Sequence, residues 1–91
     1  MRETMLSNEF LADFCRELSL LLHAGIGVGD GLYLLAEDEP EKERQKLLHT
    51  MADQVSEGWP LSETMEKTGV FPGYVRAMTA AGERTGRLEE A

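Results

Sequence analysis

The chain has 91 residues, of which 42% are apolar, so one small packed domain is expected rather than disorder. Its net charge of −8 opposes binding to nucleic acid and to anionic membrane surfaces, because both carry negative charge. An electrostatically steered partner should therefore be basic. A single cysteine, Cys15, excludes an intramolecular disulfide, and no apolar run is long enough to span a bilayer.

The first predicted helix begins at Ser7 or Asn8, either of which can accept a hydrogen bond from a first-turn N–H group. Apolar residues recur on one face at helical spacing: Leu11, Phe14, Leu18 and Leu21. Gly25 is expected to end this helix. The glycine run that follows does not fit a phosphate-binding loop, because such loops follow a strand and need other spacings. It predicts a turn, with Asp30 capping a second helix that starts late.

A third and a fourth helix are predicted after an acidic link. Pro40 fits the first helical position, and Glu41 and Glu43 would lie at the positive end of the helix dipole. The inward stripe of the third helix is Leu47, Leu48, Met51, Ala52 and Val55. Gly58 is expected to end it. Trp59 opens the short fourth helix, whose predicted inward residues are Leu61 and Met65. We interpret Trp59 as packing over two helix ends, with an exposed partner anchor as the alternative.

A fifth helix follows Pro72, which suits a first turn because its missing N–H would have no partner there. Its predicted inward residues are Tyr74, Val75, Met78 and Ala81. Gly82 is expected to stop the helix, and residues 83–85 then form a polar link to Gly86. We predict a positive φ at Gly82 or Gly86. Leu88 would begin a sixth helix.

The sequence predicts no catalytic centre, metal site or cofactor. His23 and His49 have no second ligand one helical turn away, and Cys15 lies two turns from His23. Glu83 is interpreted as capping its own turn through backbone N–H groups, with contact to a partner or a cation as the alternative. The acidic cluster near Glu37 lacks calcium-loop spacing and is interpreted as a solvated helix start.

Four segments occur in a recognisable order: the apolar run Phe14 to Ala24-Gly25, the corner Val55-x-x-Gly58-x-x-Leu61-Ser62, Phe71-Pro72, and Gly82-Glu83-x-x-Gly86-x-Leu88. Together they resemble the type II secretion system F domain family, and they cover nearly the whole chain. The residues of the family motif that are also candidate partner contacts are Gly25, Gly58, Trp59, Phe71, Pro72, Gly82, Glu83, Gly86 and Leu88.

The helical pattern and this resemblance predict an all-α, antiparallel bundle of five to six short helices. Residues 1–91 would form one domain, truncated at its C-terminal helix. The resemblance implies a non-enzymatic domain on the cytoplasmic face of the bacterial inner membrane, within a platform protein for type II secretion or type IV pilus assembly. The alternative is a soluble helical regulatory adaptor, or a small helical enzyme, unrelated to secretion.

The partners that the resemblance implies are a separate assembly ATPase and other inner-membrane platform components. The domain would couple the ATPase to pilin polymerisation and protein export, and would not bind nucleotide itself. We also expect a weak homodimer, because truncation would uncover two apolar faces. These faces are Leu11, Phe14 and Leu18 on the first helix, and Tyr74, Val75 and Met78 on the fifth.

Overall fold

The structure is a computed structural model that describes residues 5–86 of the chain. In this range it contains five α-helices and no strand, which confirms the predicted all-α fold. The helices, in chain order, are α1 (Asn8–His23), α2 (Val28–Asp38), α3 (Lys42–Ser56), α4 (Leu61–Thr68) and α5 (Gly73–Thr85). Leu88 lies outside the described residues, so its predicted helix does as well.

α2 and α3 run antiparallel and pack together more closely than any other pair of described helices. Near the middle of α2, the Tyr33 hydroxyl donates a hydrogen bond to the carboxylate of Asp53, which lies near the end of α3. At the other end, Gln45 Nε2 donates to the Ala36 carbonyl at 3.2 Å. The two contacts join opposite ends of the helices, as an antiparallel hairpin requires.

The core receives buried apolar side chains from every described helix and from the link between α4 and α5. Its buried members are Leu11, Phe14, Leu18, Leu32, Leu35, Ala36, Leu48, Met51, Ala52, Leu61, Met65, Val70, Phe71 and Val75. The predicted inward stripes of α1, α3 and α4 are therefore largely confirmed. The prediction that the α1 face is uncovered was wrong, because Leu11, Phe14 and Leu18 are all buried.

An aromatic row connects three parts of the core. The Phe14 ring lies 5.9 Å from the Phe10 ring and 5.7 Å from the Phe71 ring, measured between centroids. The Arg44 guanidinium of α3 lies 5.1 Å from the centroid of the Phe10 ring, a cation–π geometry. This row ties the α4–α5 link to α1 and α3.

The start of α2 differs from the prediction. The helix follows Gly27, whose carbonyl accepts a hydrogen bond from the Gly31 N–H at 2.8 Å, so Asp30 lies inside the first turn and does not cap the helix. A Cβ atom at Gly31 would lie 3.1 Å from Leu18 Cδ1, and one at Gly29 would lie 3.0 Å from a side-chain oxygen of α3. These glycines let α2 approach both neighbours closely, and this packing offsets their poor helix propensity.

The start of α3 also differs, since Pro40 is not its first residue. Glu41 is the N-cap, and its Oε1 accepts a hydrogen bond from the Arg44 N–H at 2.9 Å. Glu39 Oε2 in turn accepts from the Glu41 N–H at 3.1 Å and from the Arg44 Nε at 3.0 Å. The carboxylates of Glu39 and Glu41 thus accept hydrogen bonds from N–H groups at this corner. A proline at the helix start would only have lacked an N–H group and would have provided no such acceptor.

The prediction that Gly82 stops α5 was wrong, because the helix continues to Thr85 and ends at Gly86 with φ 74°. The predicted positive φ at one of these two glycines is confirmed at Gly86. Gly82 is buried inside the helix, on the face that also buries Val75 and Thr79.

The prediction that Tyr74 and Met78 face inward on α5 was also wrong, since Tyr74 is 59% exposed and Met78 is 47% exposed. Thr79 lies on the buried face instead. Its hydroxyl donates to the Val75 carbonyl at 2.9 Å, so its polar group is satisfied within the helix.

Gly86→Val should lower the free energy of unfolding by about 1 kcal/mol, because a β-branched residue is strained at positive φ. A Cβ atom at Gly86 meets nothing within 4 Å, so this loss would come from the backbone alone. Gly73→Ala is the matched control: the added Cβ meets only Arg76 Nη2 at 3.6 Å and should stabilise α5 slightly. Urea denaturation measures both variants, and an unchanged midpoint for Gly86→Val would contradict the prediction.

Candidate functional site

The most specific polar contact of the predicted motif joins α5 to α4. Glu83 Oε2 accepts a hydrogen bond from the Ser62 N–H at 3.0 Å, and Glu83 Oε1 accepts from Ser62 Oγ at 2.7 Å. The N-cap of α4 is Pro60, which makes no side-chain hydrogen bond to the helix. The prediction that Glu83 caps its own turn was wrong, because its carboxylate accepts from a backbone N–H in the first turn of α4, that of Ser62.

The electrostatic setting of Glu83 favours this contact. The helix macrodipole places partial positive charge at the first turn of α4, where a carboxylate stabilises the helix by about 0.3–1 kcal/mol. Charge-assisted hydrogen bonds add to that effect because they are stronger than neutral ones. An ion pair also joins these helices, Arg76 with Glu66 at 4.0 Å, but it is partly exposed and contributes little. Glu83 is consequently the main polar link between α4 and α5.

Gly58 and Trp59 form the corner that leads into α4. Gly58 has φ 108°, and its N–H donates to the Val55 carbonyl at 3.0 Å, so the chain turns sharply at the end of α3. The Trp59 ring is packed beneath Lys67, whose Nζ lies 4.8 Å from the ring centroid. Trp59 is still 37% exposed, and it lies just before the N-terminus of α4.

The structure brings together only part of the predicted set. Gly58, Trp59, Gly82 and Glu83 all lie near the junction of the α3–α4 corner with the C-terminal half of α5. Phe71 and Pro72 lie about 15 Å away along α5, where Phe71 is buried and Pro72 is the N-cap.

The remaining motif residues lie elsewhere or outside the described range. Gly25 lies at the α1–α2 corner with φ 93°, and Gly86 ends α5. Leu88 falls outside the described residues. The motif residues therefore fall into two groups. One group surrounds the Glu83–Ser62 contact, which braces α5 against α4, and the other residues end helices or fill the core at separate positions.

Reactive side chains do not converge within residues 5–86. No group of three or more His, Cys, Asp or Glu side chains in this range could hold a metal ion. Cys15 and His23 are about 12 Å apart along α1. His49 packs edge-on to the Tyr33 ring, 5.5 Å between centroids. No helix in the described range is both long and apolar enough to cross a bilayer.

Sequence reasoning missed two features of the polar surface. Ser62 was singled out only as part of the corner motif. A helix that follows proline has no side-chain cap of its own, so its first N–H groups need an acceptor from another part of the chain. Pro60 was the signal in the sequence that could have indicated this. The bond from Tyr33 to Asp53 had no local signal, because the two residues are 20 apart in sequence. This bond, followed by desolvation, raises the pKa of Tyr33 above its ordinary value.

Burial raises the pKa of the Cys15 thiol, so its thiolate fraction at neutral pH is below that of an ordinary cysteine. We therefore expect native protein to react with Ellman's reagent more slowly than free cysteine at pH 7–8. The rate should rise to the free-cysteine value in denaturing urea. A native rate equal to the denatured rate would show that the Cys15 thiol is not shielded from the reagent and that its pKa is not raised.

These features define a small antiparallel bundle whose motif residues shape and brace the helices. A family model described as type II secretion system (T2SS), protein F, matches residues 14–91, and the chain belongs to this family.

Curated relatives agree with the family match. The chain is 39% identical over 80 residues to the protein transport protein HofC homolog of Escherichia coli (strain K12). It is 33% identical over 85 residues to type II secretion system protein F of Aeromonas hydrophila, and 30% identical over 80 residues to type IV pilus assembly protein PilC of Thermus thermophilus. The alignments cover 87%, 92% and 87% of this chain but only 20%, 22% and 20% of the relatives, so the chain spans about a fifth of their length.

Proposed function

We propose that this chain is a non-enzymatic interaction domain of an inner-membrane platform protein for type II secretion or type IV pilus assembly. It lies on the cytoplasmic side and couples a separate assembly ATPase to pilin polymerisation and protein export. The support is the family membership, together with relatives named for protein transport, type II secretion and pilus assembly.

The observation that carries this proposal is the contact between Glu83 and Ser62. A domain that passes mechanical work between partners has to resist separation of its helices. Glu83 joins α4 to α5 through two charge-assisted hydrogen bonds at the site where α4 has no cap of its own. Trp59, beside this brace, offers a partly exposed ring on a rigid corner, which is the usual setting of an interface anchor.

The test is binding of the whole chain to the assembly ATPase encoded in the same genome, measured by surface plasmon resonance. We expect Trp59→Ala to raise Kd by about 30-fold or more, the size of an aromatic hot spot. Tyr74→Ala is the matched control, because it also removes an exposed aromatic ring but lies on α5 away from the corner. No binding by the unmodified chain would overturn the proposal, and equal losses in both variants would place the contact elsewhere.

A weak homodimer is a second proposal about partners. With the α1 face buried, the exposed apolar candidates from the predicted faces are Tyr74 and Met78 of α5. Sedimentation equilibrium at rising protein concentration and high salt tests this, since salt screens the repulsion between two acidic chains. A species that stays monomeric throughout would refute it.

A further inference from the structure

Two adjoining grooves lie between α1 and the hairpin formed by α2 and α3. The first has a volume of about 450 Å³ and lies beside the N-terminal half of α1. The second has a volume of about 320 Å³ and lies beside its C-terminal half. Both are lined by Glu17, Leu35 and Asp38, so they form one continuous depression, which we call the α1/α2 trough.

The first groove forms the acidic end of the trough. It is lined by five carboxylates, those of Glu9, Asp13, Glu17, Asp38 and Glu39. Among the described residues, Arg44 is the only cation in its lining, and it is already engaged by Glu39 at 3.0 Å and stacked on the Phe10 ring.

Glu9, Asp13 and Glu17 are spaced four residues apart, so they share one face of α1, where like charges destabilise a helix modestly. Asp13 is paired with Arg16 at 3.2 Å. Within residues 5–86, Glu9, Glu17 and Asp38 form no ion pair.

The second groove forms the apolar end, where two exposed leucines face the same depression. Leu20 of α1 is 63% exposed, and Leu34 of α2 is 44% exposed. The lining of this end is completed by the half-buried Leu21, the buried Leu35, and the carboxylates shared with the acidic end. Single exposed leucines need no explanation, but two that line one groove on neighbouring helices form an exposed apolar patch.

We propose that the α1/α2 trough binds a basic amphipathic helix of a partner protein. Leucine or aromatic side chains on one face of that helix would pack between Leu20 and Leu34. Lysine or arginine side chains further along would pair with Glu17, Asp38 and Glu9. The stretch of α1 from Glu9 to Leu21 is about 18 Å long, which corresponds to about three turns of the bound helix. The proposal does not depend on the secretion role.

Charge decides between this occupant and two others. A second copy of this chain is disfavoured because its most positive described helices, α3 and α5, each carry a net charge of only +1. An anionic lipid surface is disfavoured because it would meet a row of carboxylates. A basic helix is the occupant whose charge and apolar face both match the trough.

The probe is a fluorescein-labelled, 14-residue peptide of leucine and lysine with its leucines on one helical face. Fluorescence anisotropy measures its binding to the full chain at rising salt. We expect binding that weakens with salt, and at least tenfold weaker binding of a scrambled peptide with the same composition. An otherwise identical peptide with glutamate in place of lysine should not bind.

Two variants locate the site, and one variant controls for net charge. Glu17→Lys and Leu20→Ser change exposed positions in the trough, and each should raise the peptide Kd by about tenfold. Glu63→Lys makes the same charge change on an exposed position of α4, outside the trough, and should raise Kd by less than threefold. Circular dichroism melting curves confirm that each variant is folded.

Four outcomes would overturn the proposal. The first is failure of the amphipathic peptide to bind, and the second is an equal effect of Glu17→Lys and Glu63→Lys, which would mean that only net charge matters. The third is a dimer in sedimentation equilibrium that Leu20→Ser abolishes, because the trough would then hold a second copy. The fourth is binding of the chain to vesicles containing phosphatidylserine that Leu20→Ser abolishes.

Discussion

Replacing Phe71 with alanine should lower the free energy of unfolding by about 3–5 kcal/mol, as for other buried phenylalanines. The Phe71 ring is buried and lies 5.7 Å from the Phe14 ring at an interplanar angle of 60°. Truncation removes this contact and leaves a cavity where the α4–α5 link meets α1. Small domains are stable by only about 5–15 kcal/mol, so the variant should be close to unfolding at room temperature.

Urea unfolding followed by circular dichroism measures this loss, with Phe71→Leu and Tyr74→Ala as controls. Phe71→Leu keeps an apolar side chain of similar volume and should cost about 1–1.5 kcal/mol. Tyr74→Ala removes an exposed aromatic ring and should change stability by less than about 0.5 kcal/mol. If Phe71→Ala costs no more than Tyr74→Ala, the aromatic row does not hold the α4–α5 link to α1.

The helices that sequence reasoning placed well are those whose signals are local. In α1, Ser7 accepts a hydrogen bond from the Phe10 N–H at 3.0 Å, as a cap residue before an apolar stripe predicts. In α4, Leu61 and Met65 are buried as their spacing indicated, and Gly69 ends the helix with φ 75°. Caps, stripes and terminating glycines act within a few residues, so the sequence contains all the information needed.

Errors arose where glycine serves packing between helices. The poor helix propensity of glycine predicted a late start for α2, and the rule that glycine ends a helix predicted an early end for α5. Gly31 instead fits against Leu18, and Gly82 is buried within α5. The energetic gain of close approach depends on which helix lies opposite, and nothing in the local sequence specifies that neighbour.

The local sequence also does not specify which face of α5 is buried or which residue contacts Glu83. Met78 was predicted to face inward because it is apolar, yet Thr79 takes the buried position and satisfies its hydroxyl on its own helix. Glu83 was singled out as a cap of its own turn, but its carboxylate binds Ser62 of α4. Its partner Ser62 is 21 residues away, so only the folded arrangement of α4 and α5 identifies it.

Replacing Glu83 with alanine should lower the free energy of unfolding by about 2 kcal/mol. The substitution removes two charge-assisted hydrogen bonds, to the Ser62 N–H and Oγ, and a carboxylate from the positive end of α4. No side chain of Pro60 can replace the lost acceptor. Glu83→Gln should cost about 1 kcal/mol, because it keeps an amide oxygen as acceptor but loses the charge. Amide hydrogen exchange at Ser62 should quicken in both variants.

Glu63→Ala is the matched control, because Glu63 also lies in the first turn of α4 but its side chain makes no hydrogen bond within the described residues. Its loss should cost about 0.5 kcal/mol through the helix dipole alone. A double-mutant cycle of Glu83→Ala with Ser62→Ala should give a coupling energy of at least about 0.5 kcal/mol, as expected for side chains in direct contact. If the coupling is zero and Glu83→Ala costs no more than Glu63→Ala, then Glu83 acts only as a nearby negative charge. The two helices would in that case be held by their apolar faces, and the brace would not explain the rigidity that the proposed role requires.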